Sequence, residues 1–172
     1  PKPFMILNVG GVANVSWVDE MDEVSAFDSG PGNALIDDFM YQRTGSRMDQ
    51  NGYLALSGKV NSKVLKKLME NPFFEMKGPK SLDRNHFDSS PVFELSDADA
   101  AATLCAFTAE AVRKSITHFQ NSPSLCAVSG GGRKNKAIIR ELEKRVETKV
   151  STTEEFGWEG DYLESQAFAY LA

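Results

Sequence analysis

Apolar residues open this 172-residue chain in short runs and only later spread to helical spacing. Phe4 to Asn8 is a brief apolar run and predicts a buried strand. Gly10-Gly11 breaks it. Val12 to Val18 alternates as a second strand, with Val12, Val15 and Trp17 among its apolar members. Asp19 to Glu23 is an acidic turn, and Val24 to Phe27 a third strand. Connections this short make the three an antiparallel meander, because parallel neighbours need long crossovers.

Helical patterns follow. Ala34 to Thr44 stops at Gly45. Gln50 to Ser57 predicts a short second helix. Asn61 to Met69 predicts a third, with Val64, Leu65 and Leu68 on one face and Asn71-Pro72 beyond it. Phe73 to Ser90 reads as irregular and holds Lys77, Lys80, Arg84 and His86, the most basic loop in the chain. Ser96 caps the longest helix, which runs to about Phe119. Leu125 to Val128 is a strand, Asn135 to Val146 a helix, Thr148 to Thr152 a strand and Asp161 to Leu171 a last helix. The closing β-α-β order implies parallel strands joined by a right-handed crossover. The expected architecture is α/β: one mixed five-stranded sheet flanked by helices, without internal repeats.

Composition narrows the function classes. With 24 acidic and 19 basic residues the net charge is −5, which argues against a broad nucleic-acid surface. No apolar run approaches the ~20 residues of a membrane span. Cys105 and Cys126 form no CxxC pair, so they read as buried thiols of a cytoplasmic protein and not as metal ligands. His86 and His118 lack partners at metal-ligand spacing. The chain starts at Pro1 and ends inside a helical pattern, and reads as a piece of a longer chain.

Chemistry concentrates in four motifs. Phe27-Asp28-Ser29-Gly30-Pro31-Gly32-Asn33 delivers a carboxylate from a strand into a glycine turn, with Asn33 as N-cap of the next helix. That arrangement offers a base beside free helix N–H groups, or simply a capped corner. Gly10 and Gly11 bare the backbone between two strands, either to meet a phosphate or to make a hairpin. Ser129-Gly130-Gly131-Gly132-Arg133-Lys134-Asn135 joins a strand to a helix, the context of a nucleotide-contacting loop, although it is neither a Walker A loop nor GxGxxG. Arg133 and Lys134 either serve phosphate or begin a solvated helix. Glu164 borders an apolar face of the last helix, where its pattern alone reads as solvated.

Taken together, these segments resemble the anhydro-N-acetylmuramic acid kinase family. The resemblance is carried by Leu7 to Asn14, Phe27 to Asn33, Pro79-Lys80-Ser81, Ser129 to Asn135 and Glu164 to Ala169. It implies a ribonuclease-H-like, actin-like ATPase domain with a helical insertion at about 46–95. This would be the C-terminal half of a two-domain kinase, the N-terminal half carrying the phosphate loop. The implied reaction opens 1,6-anhydro-N-acetylmuramic acid with water and phosphorylates it from ATP with Mg²⁺, in peptidoglycan recycling. By the same resemblance Asp28 is the general base and Glu164 a supporting carboxylate. Gly10 and Gly11 would face the phosphates and Gly130, Gly131 and Gly132 the nucleoside, with Asn14 and Asn135 also binding the nucleotide. Asn33 and Lys80 would meet the sugar. No protein-held metal is implied, and a homodimer is left open. Ser29 stands where the family usually has Thr, and Lys80 to Phe87 departs from the family's Lys-Ser-Thr-Gly-Arg-Glu.

Three other readings remain open from the residues alone. One is a kinase of the same superfamily acting on a different sugar or acid. Another is a nucleotide-binding module without chemistry, which would not need Asp28. The third is a purely structural fragment.

Overall fold

β1 (Phe4–Val9) and β2 (Val12–Val18) alternate between two faces. Met5, Leu7, Val9, Ala13, Val15 and Trp17 are buried, while their chain neighbours are half-buried. This is the period of a strand with one face on the core. Val12 therefore falls on the opposite face from Val15 and Trp17. The structure, a computed structural model, describes residues 2–160.

β3 (Val24–Pro31) runs beyond the Phe27 end expected from sequence. Pro31 and Gly30 pair with Val12 and Ala13, so the segment after Asp28 is strand and not a sharp turn. A bulge falls between Ala13 and Asn14. Pro31 is tolerated because β3 is an edge strand. Gly30 does not use a left-handed φ; a Cβ there would lie 2.5 Å from the Ala111 Cβ. The need is for close approach, not for turning.

β4 (Leu125–Ser129) and β5 (Lys149–Thr152) run parallel to β1, giving one mixed sheet in the order β3-β2-β1-β4-β5. α1 (Ala34–Thr44) ends at Gly45 as expected, with φ 73° at the cap. Gln50–Gly52 is a 3₁₀ turn leading into α2 (Tyr53–Ser57). α3 (Ser62–Leu68) is capped by the Asn61 side chain. α4 (Asp97–Ile116) is the longest described helix, capped by Ser96, and buries an alanine-rich face against β3. It stops short of Phe119, which instead stacks on Trp17 at 5.1 Å. α5 (Lys136–Arg145) begins after Asn135. The predicted helix at Asp161–Leu171 lies outside the described residues.

The stretch from Phe73 to Ser90 has little regular structure but is firmly packed. Phe74 stacks on Phe87 at 5.3 Å, and the two meet Phe107 of α4 edge-on at 5.8 and 5.4 Å. Such ring pairs add roughly 0.5–1.5 kcal/mol beyond the area they bury. Among the described residues no helix is long and apolar enough to cross a membrane. Both cysteines are buried and unpaired; burial pushes the Cys126 thiol up to about 12, which makes it unreactive.

Two connections beyond the C-terminal ends of β4 and β5 are tied together. Arg133, buried, donates from Nη1 to the Gly130 carbonyl at 2.8 Å and pairs through Nε with Glu154 at 2.5 Å. Gly160 lies flat on that guanidinium, where a Cβ would stand 2.4 Å from Nε. Slight burial alone would raise the Glu154 carboxyl, but hydrogen bonding and charge from Arg133 hold it below its ordinary value.

Gly30→Ala should overpack the β3–α4 contact and cost about 1–3 kcal/mol, read as a lowered urea midpoint at unchanged slope. The depressed Glu154 value means that its pair adds stability above the ordinary 4.5 and loses it as pH falls through the folded value. Glu154 is half exposed, so the gap between parent and Glu154→Gln should stay under about 1 kcal/mol at neutral pH. Melting curves across an acid series should show that gap closing below 4.5.

Candidate active site

The hairpin corner between β1 and β2 is the floor of the site. Its carbonyls face the start of α1: Gly10 O accepts from Asn33 N at 2.7 Å, and Gly11 O from Gly32 N at 3.0 Å and Ala34 N at 3.1 Å. A Cβ on Gly32 would stand 2.2 Å from Gly10 O, so only glycine allows this approach. The helix N–H groups expected to be open are thus used on the corner itself. Asn33 is not a side-chain N-cap either. It has helical backbone angles, and its amide nitrogen donates to Val9 O at 3.1 Å.

The triglycine loop lies over the end of β1. Gly130 has φ 73°, and a Cβ there would sit 2.3 Å from Asn8 Oδ1; one on Gly132 would sit 2.3 Å from Val9 Cγ1. Close packing therefore explains two of the three glycines. Gly131 differs: it is exposed, and its nearest atom would be Asn33 Nδ2 at 3.7 Å. Gly11 is similarly open, with only Ala34 Cβ at 3.7 Å. The backbone that a ligand can reach is at Gly10-Gly11 and Gly131, at the C-terminal ends of parallel β1 and β4. Open α/β sheets bind ligands at such ends.

Asp28 is half-buried on β3. Register places Asp28 opposite Asn14, Asn14 opposite Asn8, and Asn8 beside Ser129. Residues opposite each other in a ladder share a face. A polar row therefore crosses four strands on the face turned away from α4. Sequence reading found Asp28 and Asn14 but missed Asn8 and Ser129, because only strand order makes them neighbours. The Asp28 carboxylate accepts from Leu82 N at 2.7 Å, and Asp28 N donates to Lys80 O at 3.0 Å. Both partners come from the irregular loop, which sequence could not bring beside β3.

Two expected contact residues turn inward. Lys80 is buried, with its ammonium donating to Phe73 O at 3.0 Å. Asn135 caps α5, its oxygen accepting from Ala137 N and Ile138 N at 3.0 and 3.2 Å. Arg133 does not begin a solvated helix; it is the buried tie described above. Glu164 lies outside the described residues. Among the described residues no three acidic, His or Cys side chains group closely enough to hold a metal.

A family model for anhydro-N-acetylmuramic acid kinase matches residues 1–172. The chain is 48% identical over 170 residues to an anhydro-N-acetylmuramic acid kinase from Caulobacter vibrioides, covering 99% of this chain and 46% of that protein. It is 48% identical over 172 residues to one from Rhodospirillum rubrum, with the same coverage. The chain thus spans about half the length of the curated relatives it matches. Among solved structures, component A of the (R)-2-hydroxyglutaryl-CoA dehydratase of Acidaminococcus fermentans superposes with TM-score 0.57 at 14% identity, over 89% of this chain and 56% of that one. The Clostridium difficile activator of 2-hydroxyisocaproyl-CoA dehydratase, solved with bound ADPNP, gives TM-score 0.53 at 16% identity, over 90% and 55%. These are actin-like ATPase folds, so the α/β architecture expected from sequence holds. With the match running from the first residue to the last, the chain belongs to the anhydro-N-acetylmuramic acid kinase family.

Proposed function

We propose that this chain is the C-terminal half of a two-domain kinase. That kinase would use ATP to phosphorylate 1,6-anhydro-N-acetylmuramic acid as water opens its anhydro bridge, within peptidoglycan recycling. The observation that carries the reading is Asp28, half-buried on an edge strand and aligned with Asn14 and Asn8 beside a corner of bare glycine backbone. Water is a poor nucleophile, and a fixed carboxylate that takes its proton contributes about 10²–10⁴-fold. The Leu82 N–H holds one carboxylate oxygen of Asp28, which orients the other.

Gly10, Gly11 and Asn14 form the phosphate side, where backbone can come close without a Cβ in the way. Gly131 is the nucleoside side, with Gly130 and Gly132 shaping the loop beneath it. Asn33 locks the corner through Val9 O and so fixes the relation of the two sides. Glu164 would add a second carboxylate at the sugar. Mg²⁺ would sit on the ATP phosphates, held mostly through water, with Asn14 and the glycine corner facing it. Bound there, the ion would neutralise phosphate charge. The N-terminal half would supply the phosphate loop across the cleft, and the two buried free thiols fit a cytoplasmic enzyme.

Asp28→Asn keeps the size of the side chain and an oxygen for the Leu82 N–H, and removes only the proton acceptor. In a protein of the relatives' full length it should lower kcat by roughly 10²–10⁴-fold while leaving the thermal midpoint near that of the parent. Steady-state kinetics with the anhydro sugar settles the matter: activity within about threefold of the parent would end the base assignment.

A further inference from the structure

Lys80 makes two separate attachments, one through its side chain and one through its backbone. Its ammonium, on a residue only 9% exposed, points into the fold. Nζ donates to Phe73 O at 3.0 Å, sits 4.2 Å from the centroid of the Phe73 ring and lies 5.6 Å from that of Phe27. A cation over aromatic faces is held more strongly when it is desolvated. That desolvation pulls the Lys80 pKa below its ordinary value, with Glu75 opposing and Lys114 adding to the effect. The backbone of Lys80 bonds to β3, its carbonyl accepting the Asp28 N–H at 3.0 Å. Two residues on, Leu82 N donates to the Asp28 carboxylate at 2.7 Å.

The residues around Lys80 repeat this grip. Gly78 lies against Phe27, where a Cβ would stand 2.6 Å from Cδ1. Phe27 is thus touched by Gly78 and faced by the Lys80 ammonium, and it is the chain neighbour of Asp28. Further along, Arg84 pairs with Asp38 of α1 at 2.5 Å, a surface contact with both side chains about half exposed. Such a pair adds little hold; within residues 78–82 the buried cation that ties the segment down is Lys80, beside the aromatic packing of Phe74 and Phe87. Residues 78–82 run along the free edge of β3 and bond to it at Asp28.

We propose that Lys80 is a positioning residue for Asp28: its buried ammonium anchors residues 78–82 to Phe73 and Phe27, and that segment orients the Asp28 carboxylate. The proposal rests on the reading of Asp28 as the base. It replaces the sugar contact that the sequence suggests for Lys80.

An anchoring lysine and a contacting lysine respond differently to substitution. Lys80→Met, in a protein of the relatives' full length, keeps the apolar stem and removes the cation and its donor. Amide hydrogen exchange at Asp28 and Leu82 should accelerate, because both N–H bonds belong to the anchored segment. Turnover should fall roughly 10- to 100-fold, the scale expected for a misplaced catalytic group, with KM for the anhydro sugar within about threefold. Lys80→Arg keeps a cation and a donor and should recover part of both the protection and the turnover. Unchanged exchange at the two amides together with a raised sugar KM would overturn the proposal in favour of direct contact. Faster exchange with unchanged turnover would overturn it as well, while the Asp28→Asn kinetics judge the base separately. Should Lys80→Met not fold, Lys80→Arg carries the test: a raised sugar KM with protection intact overturns the anchor, and lost protection with lowered kcat at constant KM supports it.

Discussion

The structure depends on close backbone approach at one corner. Three chain segments meet where β1 ends: the Gly10-Gly11 hairpin, the Gly32-Asn33 entry to α1 and the Gly130–Gly132 loop. At Gly32, Gly130 and Gly132 a Cβ would come within 2.2 to 2.3 Å of a neighbouring atom. Real Cβ contacts do not reach that distance, so the corner exists only because those positions lack side chains. Hydrogen bonds then use the approach, with the Gly10 and Gly11 carbonyls taking three N–H groups from the entry to α1. The result is a fixed floor with backbone exposed at Gly11 and Gly131.

Around that floor the same economy of side chains recurs at larger scale. α4 lies close to β3 because Ala111 meets Gly30, and the long loop lies close to α4 because Phe74 and Phe87 meet Phe107. Packing of this kind transmits position, since a dense core does not deform gradually. The loop therefore delivers the Leu82 N–H to Asp28 as reliably as a strand would. Arg133 does the same on the far side, joining the glycine loop to the turn after β5 with one guanidinium.

The candidate site divides into a bare side and a polar side. On the bare side, Gly11 and Gly131 are exposed and carry no side chain over their backbone. The Asp28–Asn14–Asn8 row places one carboxylate among neutral amides.

Sequence by itself determined the element order, most boundaries and the presence of Asp28 beside glycines. Strand alternation at Met5, Leu7 and Val9, the stop at Gly45 and the caps at Asn61 and Ser96 are local effects, written within a few residues of where they act. Tertiary structure decided everything that needed distant residues. Pro31 and Gly30 became strand because Val12 and Ala13 pair with them. Asn33 gave up capping because Val9 O lay within reach. Lys80 turned inward because only the fold brings the Phe27 and Phe73 rings within reach of its ammonium. Asn8 and Ser129 joined the polar row because a crossover sets β4 beside β1. A residue's type limits what it can bond, but which partner it finds depends on chain neighbours far away in sequence, and the fold alone chooses those.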